Sequence, residues 1–120
     1  MRGTVLVIHN QAGLEELLKD ILAPLDFQIC DDAGGLDLEE LLNRQHVSLV
    51  FLGLEQGKPD LEVLRQIREL DSQSKVVVFT THTNLQMARQ AMGLGAQEYI
   101  HSPFDRDLVR DVLDDNLCVV

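Results

Sequence analysis

Short apolar runs alternate along this chain with segments in which leucine and valine recur at helical spacing. The runs that predict strands lie at residues 4–8, 27–30, 47–52, 75–80 and 98–101. A continuous apolar run is typical of a strand that is covered on both faces, because neither face meets solvent. Strands that alternate with helices indicate a parallel sheet with helices packed on both sides. We therefore predict a doubly wound, five-stranded α/β fold.

The segments that predict helices lie at residues 14–25, 36–44, 61–70, 84–94 and 105–113. Asn84 and Asp105 stand where a capping side chain would begin the last two of these helices. The apolar residues of the fourth predicted helix are Leu85, Ala88, Ala91, Met92 and Leu94. Those of the last predicted helix are Leu108, Val109, Val112 and Leu113. Periodicity does not fix the order of the strands.

Length, hydropathy and charge narrow the class of protein. A chain of 120 residues with 45% hydrophobic residues can form one domain with a buried core. No apolar run approaches the roughly 20 residues that span a bilayer, and residues 1–4 leave no room for a signal peptide. We therefore expect a cytoplasmic protein that does not bind membranes. The formal net charge of −10 argues against direct nucleic-acid binding, which needs clustered lysine and arginine.

The last four residues, Leu117 to Val120, form an apolar tail behind the acidic pair Asp114 and Asp115. A chain end in water is more often polar and frayed. We hypothesise that the domain, residues 1–120, was cut from the N-terminal part of a longer protein. The alternative is a tail that packs against the domain or against a second copy.

Two stretches carry a resemblance to a known family. Residues 47–55 form a predicted buried strand that runs straight into a loop, and residues 95–104 end in Ser-Pro-Phe. Together they resemble the receiver domain of bacterial two-component response regulators, and the resemblance covers essentially the whole chain. It implies the flavodoxin-like fold with strand order 2-1-3-4-5.

The resemblance also implies where a site would lie. In such sheets the site is a crevice outside the carboxyl ends of the strands. The paired acidic residues of the family fall at His9 and Asn10, and its phospho-accepting aspartate falls at Gly53. Its hydroxyl residue falls at Thr80 and its lysine at Ser102. These five positions are called the crevice below.

The five crevice residues lack the chemistry of phosphoryl transfer to a carboxylate. That reaction uses Mg²⁺, a hard cation whose protein ligands usually include carboxylates. His9 offers an imidazole and Asn10 a neutral carbonyl, so the metal would lose its anionic ligands. Gly53 supplies no nucleophile, and Ser102 has no ammonium group. We therefore expect no enzyme activity, no metal and no cofactor at the crevice.

A surface away from the crevice is the expected place of function. Tyr99 matches the aromatic residue of strand five that, in active receivers, helps to couple the phosphate to the surface of helix four, strand five and helix five. In this chain that surface would carry Met87, Arg89, Tyr99, Arg106 and Arg110, here called the predicted interaction face. Arginine is favoured in interface anchoring. The alternative is an ordinary solvated surface, with Thr80 and Tyr99 in structural roles.

The resemblance and these replacements together predict an atypical receiver that works without phosphorylation as a protein-interaction or dimerisation module. It would regulate a fused or partner effector, with transcription as the expected output. Two alternatives stay open. One is phosphorylation at an atypical residue such as Glu55 or Thr80. The other is a small-ligand or pH-sensing pocket formed by His9, Asn10 and Gly53.

Overall fold

The computed structural model describes residues 3–8, 12–32, 40, 42, 47–54, 58–71, 74–80 and 85–117. Five strands form one sheet: β1 (Gly3–Ile8), β2 (Phe27–Asp32), β3 (Val47–Gly53), β4 (Val76–Thr80) and β5 (Glu98–His101). Their spatial order is β2-β1-β3-β4-β5, and every neighbouring pair is parallel. The predicted α/β architecture and strand order are therefore confirmed.

Within the described residues, four helices and one 3₁₀ turn accompany these strands: α1 (Ala12–Leu22), the turn Ala23–Leu25, α2 (Lys58–Leu70), α3 (Leu85–Gly93) and α4 (Arg106–Asn116). The fourth and last helices predicted from the sequence are thus α3 and α4. The predicted helix at residues 36–44 falls almost wholly outside the described residues, as does the predicted cap Asn84. The other predicted cap is confirmed, because the carboxylate of Asp105 accepts a hydrogen bond from the backbone N–H of Asp107 at 3.1 Å.

Both faces of the sheet are covered, which explains the continuous apolar runs. On one face, alternate residues of the central strands pack against α1 and α4; they include Val5, Val7, Leu49, Phe51, Val77 and Phe79. The intervening residues pack against α2 and α3 on the other face; they include Leu6, Ile8, Val50, Leu52, Val76 and Val78. Each fully buried side chain of this size stabilises the fold by about 1.5–3 kcal/mol relative to an exposed one, which makes these two layers the main source of stability.

Leu117, the first residue of the apolar tail, is buried against the α1–α4 side of the core. Residues 118–120 lie outside the described residues, so the hypotheses about the tail remain predictions. None of the helices within the described ranges has both the length and the apolar character that a membrane span requires.

The side chain of Arg68 links the end of α2 to the segment that leads into β4, and it lies against the turn that leads into β5. Its guanidinium Nη1 donates a hydrogen bond to the backbone carbonyl of Ser74 at 2.5 Å. Gly95, in the turn between α3 and β5, has a φ of 105°, a conformation that side-chain-bearing residues rarely adopt. A Cβ at this position would lie 2.8 Å from Nε of Arg68. Glycine is thus favoured here by backbone conformation, and a Cβ would in addition require the Arg68 side chain to move.

We expect Gly95→Ala to lower the free energy of unfolding by about 1–3 kcal/mol, because it adds backbone strain and displaces the anchored Arg68 side chain. Urea denaturation followed by circular dichroism measures this loss. In an Arg68→Ala background the same substitution should cost less, since only the backbone strain remains. An equal cost in both backgrounds would contradict the role of Arg68 in limiting the space.

Candidate functional site

The carboxyl ends of β3, β4 and β5 meet at one edge of the sheet. Gly53, the last residue of β3, is paired with Phe79, and the next residue donates its backbone N–H to the Phe79 carbonyl at 2.9 Å. Ser102 donates its backbone N–H to the carbonyl of Thr80 at 3.0 Å. Gly53, Thr80 and Ser102 are therefore brought to the same edge. His9 and Asn10, the other two crevice positions, lie outside the described residues.

The described part of the crevice is neutral and largely buried. Gly53 is buried and has no side chain, and Thr80 is 5% exposed. Ser102 is half-buried and precedes Pro103 across a cis peptide bond. Its hydroxyl and that of Thr80 are the only side-chain polar groups that these three positions can offer. Weak neutral acceptors of this kind are poor ligands for a hard divalent cation.

Asp60 is a buried carboxylate that the sequence reasoning did not assign to any site. It lies in the first turn of α2 and is 1% exposed. A negative charge is stabilised there, because the unpaired N–H groups of a helix N-terminus carry partial positive charge. The pair Pro59-Asp60 did mark the start of a helix in the sequence. Its burial has no sequence signal, because it depends on how α2 docks on the sheet.

Part of the predicted interaction face lies on the α2–α3 side of the sheet. Tyr99 and Met87 are both half-buried and pack against the apolar layer beneath α2 and α3. The ring of Tyr99 lies 6.4 Å from the ring of His101, centroid to centroid, at an angle of 48°. His101 is exposed, and its Nδ1 lies 3.1 Å from the backbone carbonyl of Ser102. Arg89 is exposed on the outer surface of α3.

The two arginines of α4 lie elsewhere. That helix packs on the opposite face of the sheet, together with α1. Nη1 of Arg106 lies 3.4 Å from Oδ2 of Asp20 on α1, and Arg106 and Arg110 both line a groove between the two helices. The five residues predicted to form one face are therefore divided between two surfaces. The division arises because Arg106 and Arg110 occupy the edge of α4 that is turned toward α1.

Three apolar residues of the last two helices are exposed. Leu85 is 70% exposed and Met92 is 45% exposed, both on α3, and Leu108 on α4 is 42% exposed. Leu85, Arg89 and Met92 follow each other at spacings of four and three residues, so they lie along one side of α3. We call this set the α3 stripe. Arg89 is the only charged residue between Leu85 and Gly93, which makes the surface of α3 free of the acidity found elsewhere in the chain.

Comparison with known proteins places the chain among signalling domains. It is 26% identical over 114 residues to sporulation initiation phosphotransferase F of Bacillus subtilis, which covers 94% of this chain and 92% of that protein. It is 31% identical over 109 residues to the C4-dicarboxylate transport transcriptional regulatory protein DctD of Pseudomonas aeruginosa. That match covers 89% of this chain but only 23% of the longer regulator.

Structural comparison gives the same fold. A response regulator from Thermotoga maritima superposes with a TM-score of 0.84 at 23% identity, over 96% of this chain and 97% of that one. The model of the response regulator receiver domain matches residues 5–114, nearly the whole sheet and its helices. The chain belongs to the response regulator receiver domain family.

Proposed function

We propose that this receiver works without phosphorylation, as a protein-interaction module that controls a fused or partner effector. It would act in the cytoplasm, catalyse no reaction, and regulate transcription through that effector. The observation that carries the proposal is Gly53, which ends β3 at the sheet edge where the resemblance to receivers implies an aspartate. A glycine has no side chain on which a phosphoryl group could be placed.

The other crevice residues support the same reading. Thr80 and Ser102 are neutral, and the sequence places His9 and Asn10 after β1 instead of two acids. A related response regulator from Burkholderia pseudomallei, 17% identical with a TM-score of 0.74, has been solved with a phosphorylated aspartic acid and a calcium ion. Phosphoryl chemistry of that kind needs both an acceptor carboxylate and a cation. The residues of this chain supply poor ligands and no acceptor at the matching positions.

The α3 stripe is the surface that best suits a partner. Leu85 and Met92 expose apolar side chains on either side of Arg89, and Met87 and Tyr99 pack against the core layer on that side of the sheet. Clustered exposed apolar residues with an arginine are typical of binding surfaces, because burying them removes apolar area from water. The absence of acidic residues from α3 also lowers the repulsion between two copies of a chain with a net charge of −10.

We expect the purified domain to take up no phosphoryl group from acetyl phosphate in the presence of Mg²⁺, as measured by intact-protein mass spectrometry. Gly53→Asp alone should restore little labelling, since His9 and Asn10 still lack carboxylates. The positive control is the quadruple variant His9→Asp, Asn10→Asp, Gly53→Asp and Ser102→Lys, which should be labelled. A stoichiometric label on the unmodified chain would sink the proposal and point to an atypical acceptor.

We expect the domain to form a dimer whose mass, measured by sedimentation, does not change with Mg²⁺ and acetyl phosphate. Met92→Gln should weaken this dimer about tenfold, because it replaces buried apolar area with a polar amide. The matched control is Leu70→Gln at the end of α2, where the side chain is also 45% exposed. A mass that changes with acetyl phosphate would contradict the proposal. A monomer in both conditions would exclude self-association and leave only a different protein as the partner of the α3 stripe.

A further inference from the structure

A second candidate surface is a groove between α1 and α4, on the face of the sheet opposite to the α3 stripe. Its volume is about 250 Å³, and it is lined by Asp20, Ile21, Pro24, Leu25, Arg106, Arg110 and Asp114. We call it the α1–α4 groove. A space of this size holds one or two side chains, and is smaller than the roughly 300–1,000 Å³ typical of drug-sized ligands. The groove therefore suits part of a protein chain.

The floor of the groove is apolar. Ile21 is 6% exposed and belongs to the core layer beneath α1, while Leu25 is half-buried and Pro24 is exposed. An open apolar floor favours an apolar side chain, because its burial removes area from water on both partners. The 3₁₀ turn that contains Pro24 and Leu25 holds this floor in a defined shape, since proline fixes its backbone φ.

One wall of the groove carries two arginines. Arg106 and Arg110 are four residues apart on α4, so their β carbons lie about 6 Å apart on the same side of the helix. Arg106 reaches Asp20 at 3.4 Å, but the two side chains are 47% and 68% exposed, and such surface pairs contribute little to stability. The guanidinium of Arg110 makes no hydrogen bond or ion pair with any part of the chain that the structure describes. The wall thus retains unused donors.

Of the two acidic residues that line the groove, only Asp20 pairs with an arginine, through Nη1 of Arg106. Asp114 follows Arg110 by four residues, the order in which the helix dipole makes a pair less favourable, and no ion pair between them forms in the structure. Asp20 and Asp114 do make the groove unsuitable for a polyanion such as a nucleic acid. The chemical complement of this wall is a pair of individual carboxylates at matching spacing.

We propose that the α1–α4 groove binds an acidic amphipathic helix of a partner protein. Two carboxylates of that helix, four residues apart, would accept hydrogen bonds from Arg106 and Arg110, because this spacing repeats that of the arginines. An apolar side chain on the same face of the partner helix would fill the floor over Ile21 and Leu25. This is helix-in-groove recognition. The apolar side chain would supply most of the affinity, and the charged pairs would fix the position of the partner helix along the groove. It does not depend on the state of the crevice or on the α3 stripe.

The probe is a fluorescein-labelled, alanine-based helical peptide of about 18 residues, long enough to be partly helical in water. It carries two glutamates four residues apart and a leucine three residues after the first glutamate. Binding to the whole chain is followed by fluorescence anisotropy at 0.15 M salt. Amide chemical shifts of the ¹⁵N-labelled chain locate the site. We expect saturable binding with shifts confined to α1, the 3₁₀ turn and α4.

We expect Arg110→Ala to weaken binding about tenfold, as for the loss of one charge-assisted hydrogen-bonded pair. The matched control is Arg89→Ala on α3, which changes the net charge by the same amount and should leave the affinity unchanged. Both residues are exposed, so neither substitution should prevent folding, and a melting curve checks this. Arg110→Glu should abolish binding of the glutamate peptide and restore it for a peptide with lysines at the two glutamate positions.

Three results would overturn the proposal. The first is an equal loss of peptide affinity with Arg89→Ala and Arg110→Ala, which would show that the peptide responds to net charge and not to the groove. The second is the absence of saturable binding up to millimolar peptide. The third is a shift of the chain's own mass from dimer to monomer on Arg110→Ala, because the groove would then be occupied by a second copy.

Discussion

Apolar side chains on both faces of a five-stranded parallel sheet hold the rest of this structure in place. Successive residues of each strand point to opposite sides, so β3 and β4 feed two separate core layers at once. Parallel strands are joined by crossovers, and their carboxyl ends therefore gather at one edge. The edge brings Gly53, Thr80 and Ser102 together without any contribution from their side chains. The architecture is thus independent of the chemistry that the crevice holds.

Because the architecture does not depend on the crevice residues, replacing carboxylates there with neutral residues changes the electrostatics of the crevice and not the fold. Carboxylates gathered at one edge repel each other and lose solvation, and a bound cation offsets that cost. With glycine at position 53 and neutral groups at positions 80 and 102, these three crevice positions have no such repulsion to relieve. A module of this kind would gain no phosphoryl charge at Gly53 with which to shift between two states. That is consistent with a receiver that binds its partner constitutively.

The sequence predicted the layers of this fold, but it did not predict the rotation of each helix about its own axis, which decides which side chains face the sheet. Continuous apolar runs and helical periodicity predicted the five strands, and Asp105 the start of α4. The order of the strands came from the resemblance to receivers, because periodicity carries no information about neighbours. The outward position of Leu85 and Met92 was not predicted, since α3 is short and its inner side is occupied by Ala91 and Met87. For the same reason, the sequence did not predict that Arg106 and Arg110 lie on a different surface from Tyr99.

The two candidate surfaces lie on opposite faces of the sheet, with one helical layer and one apolar core layer between each surface and the strands. Packed strands and core layers have little free volume, so contacts on one face do not readily deform the other. Occupation of the α3 stripe should then leave the affinity of the α1–α4 groove unchanged. In an active receiver the crevice couples chemistry to a surface; in this chain the rigid sheet itself would be the useful property. It would hold two partner proteins in a fixed relative orientation, which requires neither a phosphoryl group nor a conformational change.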